Sequence, residues 1–240
     1  MNILVISDLH LDETRPDITT LFLNFLKENT QKTKALYILG DFFEAWVGDD
    51  NLTDFNRTIM RAFREATEQG LPIYFMHGNR DFLVGKKFFK ATGCQLLPDE
   101  YLIDLFGIPT LMMHGDTLCT LDHKYLTFRK KSRNWFMQKL FLMKSLKKRR
   151  QLVSKYREAS KAHMSTLPDY IMDVTQAEVE RIMIKHDVKH LIHGHTHREA
   201  THYFTLGNKP ATRTVLGAWH EHGSVLVCKP DGKNSLNHFK

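Results

Sequence analysis

Five apolar runs in this chain each stop at a short turn that carries Asp, Asn or His. Residues 2–6 run into Ser7-Asp8-Leu9-His10, and residues 35–39 into Gly40-Asp41. Residues 72–77 run into Gly78-Asn79-Arg80-Asp81, and residues 109–113 into His114-Gly115-Asp116. Residues 188–192 run into His193-Gly194-His195-Thr196-His197. Continuous apolar runs of this length read as strands buried on both faces, which occur in parallel sheets flanked by helices. Ligands of such sheets bind outside the carboxyl ends of the strands, so side chains at five strand ends converge on one rim. The pattern predicts an α/β chain with one site assembled from five loops. Gly40, Gly78, Gly115 and Gly194 beside the polar residues allow sharp turns and close approach to a small bound group.

The rest of the chain fits that frame. Helical spacing or helix-ending glycines predict helices over 18–28, 55–69, 82–92 and 175–186, and a basic helix over 124–161. Strands are expected at 101–105 and 109–113 around a turn at Gly107, and short strands with turns after Ala200. With 240 residues, 42% of them hydrophobic, the chain can bury a full core as one domain over 1–240. Its three cysteines are odd in number and form no C-x-x-C pair, so buried free thiols in a reducing compartment are expected rather than disulfides or a zinc ribbon. The first residues lack a basic leader region and reach Asp8 at once, and no run of about 18 apolar residues occurs. A cytoplasmic protein is expected, or one lying on a membrane from the cytoplasmic side.

Charge is unevenly distributed. The net charge is +7, yet residues 124–161 hold 14 Lys or Arg against the single acid Glu158. Outside that block 20 basic residues face 26 acidic ones. The block also carries Trp135, Phe136, Met137, Leu140, Phe141, Leu142 and Met143, with Phe136, Leu140 and Met143 on one helix face. Basic side chains around an apolar stripe suit anionic headgroups and acyl chains. An ordinary amphipathic helix packed on the core is an equal alternative at this point. Nucleic acid is a poorer partner, because the run from Leu140 to Met143 is too apolar for it.

Carboxylate, amide and imidazole donors without cysteine suit borderline to hard cations such as Mn²⁺, Fe²⁺ or Zn²⁺. Seven candidate ligands are too many for one ion and suit two, about 3.5–4 Å apart, with a shared carboxylate. Asp41 is the natural bridge. Asp8, His10 and His197 complete one ion; Asn79, His114 and His195 complete the other. A water shared by both ions would deprotonate near neutral pH and attack phosphorus in line with the leaving group. Each cluster alone is weak: D-x-H and Gly-Asn-Arg-Asp recur by chance, and a histidine at a strand end is commonly a hydrogen-bonded core residue. His193, His195 and His197 would share one side if the segment were extended. All five clusters in order decide for a metal centre.

D-x-H, G-D, G-N, H-G and G-H-x-H in this order resemble the calcineurin-like metallophosphoesterases. That resemblance spans residues 2 to about 220 and implies a four-layer αββα sandwich with a dimetal site at its rim. One position departs from the wider family: Arg80 follows Asn79 where many members have a histidine that protonates the leaving group. Arginine cannot act as an acid at neutral pH, but its planar fork binds phosphate oxygens. A leaving group that needs little protonation, such as a phosphate in a pyrophosphate linkage, is therefore expected.

The longer wording, in residues 36–50, 77–83, 114–119, 191–198 and 216–220, resembles the UDP-2,3-diacylglucosamine hydrolase family of lipid A biosynthesis nearly end to end. The resemblance implies cleavage of a lipid-linked UDP-glucosamine with two Mn²⁺ ions, a helical lid over about 122–168, and peripheral attachment to the cytoplasmic face of the inner membrane; a monomer is expected, though nothing in the residues fixes the oligomeric state. It implies catalytic roles for Asp41, Asn79, Arg80, His114 and His195. By position it assigns substrate contacts to Asn79, Arg80, Asp122, Ser160, Met164, Leu167 and His195. Met164 and Leu167 stand where the family is expected to hold Asn and Lys, with Lys161 and His163 close by. Trp46, Trp219 and the remaining histidines are expected to be structural. A nuclease or soluble-nucleotide hydrolase of the same fold stays open here, as does a non-catalytic binding module, although such modules lose metal ligands and all seven are present.

Overall fold

The computed structural model describes residues 1–168 and 170–240. Two sheets stack face to face between layers of helices. The first has the order β11-β10-β1-β2-β3-β4: β1 (Asn2–Ile6), β2 (Thr33–Leu39), β3 (Ile73–Met76) and β4 (Gln95–Leu96) run parallel. β10 (Gly223–Cys228) and β11 (Asn234–Phe239) add an antiparallel edge. The second has the order β5-β6-β7-β9-β8. Its centre, β6 (Pro109–Met113), β7 (His190–His193) and β9 (Lys209–Val215), is parallel, with antiparallel β5 (Glu100–Asp104) and β8 (Ala200–Leu206) at the edges.

Alternation along the strands sorts the core into three layers. Ile3, Val5, Tyr37 and Leu39 meet Met112, Ile192 and Leu216 between the sheets. On the opposite faces of β1 and β2, Leu4, Ile6 and Ile38 pack with Phe22, Phe63 and Phe88. These three come from α1 (Pro16–Asn29), α2 (Asp54–Glu68) and α3 (Lys86–Thr92). On the outer face of the second sheet, Leu111 and Leu191 pack with Val179 and Met183 of α7 (Gln176–Lys185). The layers are helix, sheet, sheet, helix, as the αββα expectation requires. Trp46 and Trp219 are both buried packing residues, and Cys94, Cys119 and Cys228 are free and buried. No helix among the described residues is long and apolar enough to cross a membrane.

Two sequence expectations need correction. The helix expected over 82–92 begins only at Lys86, because Asp49 accepts the amides of Gly85, Lys87 and Phe88 and fixes the helix start there. The basic helix expected over 124–161 is three helices: α4 (His123–Ser132), α5 (Trp135–Leu142) and α6 (Leu146–Met164). Each has its own side-chain cap. Asp122 accepts Tyr125 N, Asn134 accepts Phe136 N and Met137 N, and Ser145 accepts Lys148 N. Such caps hold helix ends at about 1 kcal/mol apiece.

The basic block divides by residue type. All five of its arginines bind the core. Arg129 reaches Asp116 and Asp99, and Arg133 reaches Gly78 O at 2.8 Å. Arg149 reaches Val47 O and Asp50, Arg150 reaches Asn51, and Arg157 reaches Glu44. Its nine lysines are all exposed, and no ion pair or side-chain hydrogen bond engages them among the described residues. α5 between the anchors leaves Trp135 71% and Met143 beyond it 75% exposed, with Phe136, Met137, Leu140 and Leu142 also open. Arg149 is 2% exposed and keeps Val47 O and Lys144 O, so Asp50→Ala, which removes its carboxylate partner, is expected to cost about 1–2 kcal/mol in urea unfolding, whereas Lys147→Ala stays within about 0.5 kcal/mol.

Candidate metal centre

Positive φ is uncommon outside glycine, and it concentrates at the rim. Asp8 (55°), His10 (50°), Asp41 (50°), His195 (70°) and His197 (57°) all occupy the left-handed region. Each costs about 1–3 kcal/mol and persists only where surrounding bonds over-determine it. Those bonds link the loops to one another. Asp8 N donates to Gly40 O at 3.1 Å and His10 N to Asp41 O at 3.0 Å, extending the β1–β2 pairing past the strand ends. His195 N donates to Asp8 Oδ2 at 2.9 Å, and Gly194 N to His114 O at 2.8 Å. Asp81 of the Gly-Asn-Arg-Asp turn accepts Gly78 N and Phe42 N, each at 2.8 Å, clamping the second and third loops together. A Cβ at Gly78 would collide with the backbone nitrogen and carboxylate of Asp41, so glycine is required there.

The side chains delivered this way form two groups. Asp8, His10 and His197 face one another, as do Asp41, His114 and His195. Asn79 joins the second group: its Oδ1 lies 3.0 Å from His114 Nε2 and 2.9 Å from His195 Nδ1. Asp41 stands between the groups, Oδ1 3.7 Å from His114 Nε2 and Oδ2 4.0 Å from His10 Nε2. The geometry supports cation binding on three counts. Asp8 Oδ1 is buried and accepts no hydrogen bond. His10 Nε2 and His197 Nε2 point at each other across 3.2 Å. His114 Nδ1 is occupied by Leu39 O at 2.8 Å, which turns the lone pair of Nε2 inward, the arrangement metal-ligating histidines adopt. The donor set fits two divalent ions. His193 stands apart: the segment is a turn, not extended, and its side chain leaves the group to meet Arg213.

Electrostatics agree. Burial pushes Asp8 up, but the close approach of His197, 3.4 Å from Oδ1, and the charges of His114, His197 and His10 outweigh it and hold Asp8 well below the carboxylate range. Burial pulls His10 down, yet the bond to Glu44 and the charges of Asp41 and Asp8 raise it above 6.5. His114 is raised likewise, against burial, by Asp41, Asp8 and Asp116. His195 is pushed down to about 4 by burial and by the charge of His114.

With two acidic-histidine groups sharing a carboxylate at the rim of an αββα sandwich, the comparisons with known proteins are specific. The calcineurin-like phosphoesterase family matches residues 1–199. The chain belongs to this family. The UDP-2,3-diacylglucosamine hydrolase of Coxiella burnetii is 52% identical over 237 residues, covering 99% of this chain and 97% of its own. The proteins of the same name from Azotobacter vinelandii and Photobacterium profundum are 52% and 48% identical, each covering 97% of this chain and 96% and 95% of their own.

Around this phosphoesterase centre lie groups to which the sequence motifs gave no role. Glu44 places Oε2 2.7 Å from His10 Nδ1, and Oε1 takes Arg157 of α6 and lies 3.6 Å from Arg80 Nη1. Burial raises Glu44, but His10, Arg80 and Arg157 hold it at about 2. Asp116, behind His114, binds Tyr125 Oη and Arg129 Nε of α4. Glu44 lies three residues after Asp41, a spacing that could have flagged it; Arg157 was hidden among fourteen like charges. The expected substrate contacts are dispersed. Asp122 spends its carboxylate capping α4, Ser160 and Met164 lie near the end of α6 with Oγ and Sδ 4.0 Å apart, and Leu167 follows that helix.

Cations and protons compete for the same imidazole lone pairs. Because His10 and His114 titrate above 6.5, apparent Mn²⁺ affinity is expected to keep rising as pH increases beyond 6.5. A competition titration against an indicator chelator over roughly pH 6 to 9 checks this; a plateau already complete at pH 6.5 would contradict it.

Proposed function

We propose that this chain hydrolyses the pyrophosphate bond of UDP-2,3-diacylglucosamine to UMP and 2,3-diacylglucosamine 1-phosphate, a step of lipid A biosynthesis. The observation that carries the reading is the position of Asp41 between the groups, 4.0 Å from His10 Nε2 and 3.7 Å from His114 Nε2, with Arg80 at the same place and its buried Nε without a hydrogen-bond partner. An unbonded guanidinium nitrogen beside a dimetal centre suits a phosphate oxygen. The names of relatives about half identical over nearly the whole chain support the substrate.

Asp8, His10, Asp41 and His197 would hold one cation, and Asp41, Asn79, His114 and His195 the other. Two such cations supply positive charge that acidifies a water and neutralises charge developing on the phosphoryl oxygens. Mn²⁺ is our choice for both, from a set of oxygen and nitrogen donors without thiolate. Arg80 orients the phosphate from the open side, while Glu44 holds Arg80, Arg157 and His10 in mutual register. Arg80 in place of a general acid suits a phosphate leaving group. Helices α4–α6 act as the lid: α5 offers apolar surface to acyl chains, and the unpaired lysines face the anionic headgroups of the inner membrane's cytoplasmic side. Asp122, Ser160, Met164 and Leu167 are proposed to line the substrate path at the two ends of that lid, and the enzyme works as a monomer.

Purified protein with Mn²⁺ and UDP-2,3-diacylglucosamine in detergent is expected to release UMP, and excess EDTA to stop it. Asp41→Ala is expected to lower kcat by about a thousandfold or more, the scale of losing several kcal/mol of charge stabilisation. Absence of UMP from folded, Mn²⁺-loaded protein would remove the lipid assignment and favour soluble nucleotides or nucleic acids. Separately, the protein is expected to sediment with vesicles containing anionic lipid, and Trp135→Ala with Met143→Ala to weaken that binding about tenfold or more, from roughly 1.5–3 kcal/mol per buried large apolar side chain. Equal sedimentation of the double variant would place the membrane contact elsewhere.

A further inference from the structure

Arg213 is a costly residue in an otherwise apolar place. It sits on β9 opposite Leu191 of β7, in the face that packs against α7, and is 8% exposed. No carboxylate lies within ion-pair distance of it among the described residues, although the charge of Asp173 reaches it, and its Nε is buried without a hydrogen-bond partner. Its guanidinium makes one buried contact, Nη1 to His193 Nε2 at 3.1 Å. A buried arginine held by a single neutral partner is not what stability alone selects, since apolar replacements of similar volume are commonly neutral or stabilising.

Its partner explains it. Arginine has only donors, so His193 Nε2 accepts and the ring proton lies on Nδ1. Nδ1 then donates to Gly194 O at 2.8 Å. Gly194 O also takes Thr196 N at 2.9 Å, while Gly194 N reaches His114 O at 2.8 Å. The same imidazole lies against the neighbouring loop: a Cβ at Gly115 would come within 2.7 Å of His193 Nδ1. His193 is therefore wedged between the turn that presents His114 and the turn that presents His195 and His197. The latter two both lie in the left-handed region.

We infer that Arg213 is a positioning residue for the metal centre: by fixing the tautomer and orientation of His193, it holds the Gly194 turn in the strained shape that aims His195 at one cation and His197 at the other. The inference rests on the dimetal reading above. It assigns a task to the first histidine of His-Gly-His-Thr-His that is not ligation, and it places the source of that task on a strand outside every motif.

The test is Mn²⁺ binding, read by calorimetry or competition titration together with the EPR signal of the bound ions. Arg213→Met should keep or raise the melting temperature and yet weaken Mn²⁺ binding by about tenfold, the lower end of the effect of losing a ligand's own orienting partner, because Arg213 acts one residue further out, through His193. Arg213→Lys, which keeps a donor, should recover part of that loss. In a His193→Gln background, Arg213→Met should cost less than about twofold more, because both act through one bond. Unchanged Mn²⁺ affinity in folded Arg213→Met would overturn the inference, as would full additivity of the two substitutions. Failure of the parent protein to bind Mn²⁺ would instead overturn the dimetal reading.

Discussion

The backbone at the rim is bent where L-residues resist bending. Asp8, His10, Asp41, His195 and His197 all lie in the left-handed region, and hydrogen bonds between different loops keep them there. At about 1–3 kcal/mol for each residue, the strain is comparable to a large part of a domain's net stability. It is sustained because the two sheets close on a rigid apolar layer and bring the strand ends into register. The centre is therefore a property of the sandwich as a whole. No single loop could hold its ligand in place alone.

That dependence explains what the sequence disclosed and what it concealed. That Asp8, His10, Asp41, Asn79, His114, His195 and His197 meet at one rim was legible because each lies within four residues of a strand end, and strand ends converge by topology. Glu44, Asp116, Tyr125 and Arg129 were not, since their roles arise from where α4 and α6 fold back, which no local pattern states. The same holds for Arg149. Its charge suggested a solvated face, but burial against Val47 O and Asp50 makes it an anchor. The three-helix form of 124–161 was partly available in Asn134 and Ser145, both good cap residues, but the charge run masked them. His193, His195 and His197 would share one side only in an extended segment, and Gly194 turns the chain immediately after His193.

Arginine and lysine share the basic block without sharing a task. The planar fork of arginine suits carbonyls and carboxylates of the core, and each of the five is used that way. The lysines carry compact, mobile charges on flexible stems and remain in water. Counting net charge merges these roles; sorting by residue type separates the fastening of the segment from its outward electrostatic face.

The choice of arginine as the fastener sets an order of failure in acid. Arginine keeps its charge throughout, and its partner Glu44 is depressed from 4.5 to about 2, so that contact yields only as pH falls through this window. Asp116 is depressed as well, against burial, by the charges of His114 and then Arg129, and Asp50 by its bond from Arg149. His10 and His114 take up protons above 6.5, well before. Protonation of His10 and His114 would thus compete with cation binding while the arginine contacts of the covering helices still hold, so that cations lost at mildly low pH would leave an intact shell able to take them up again at neutrality.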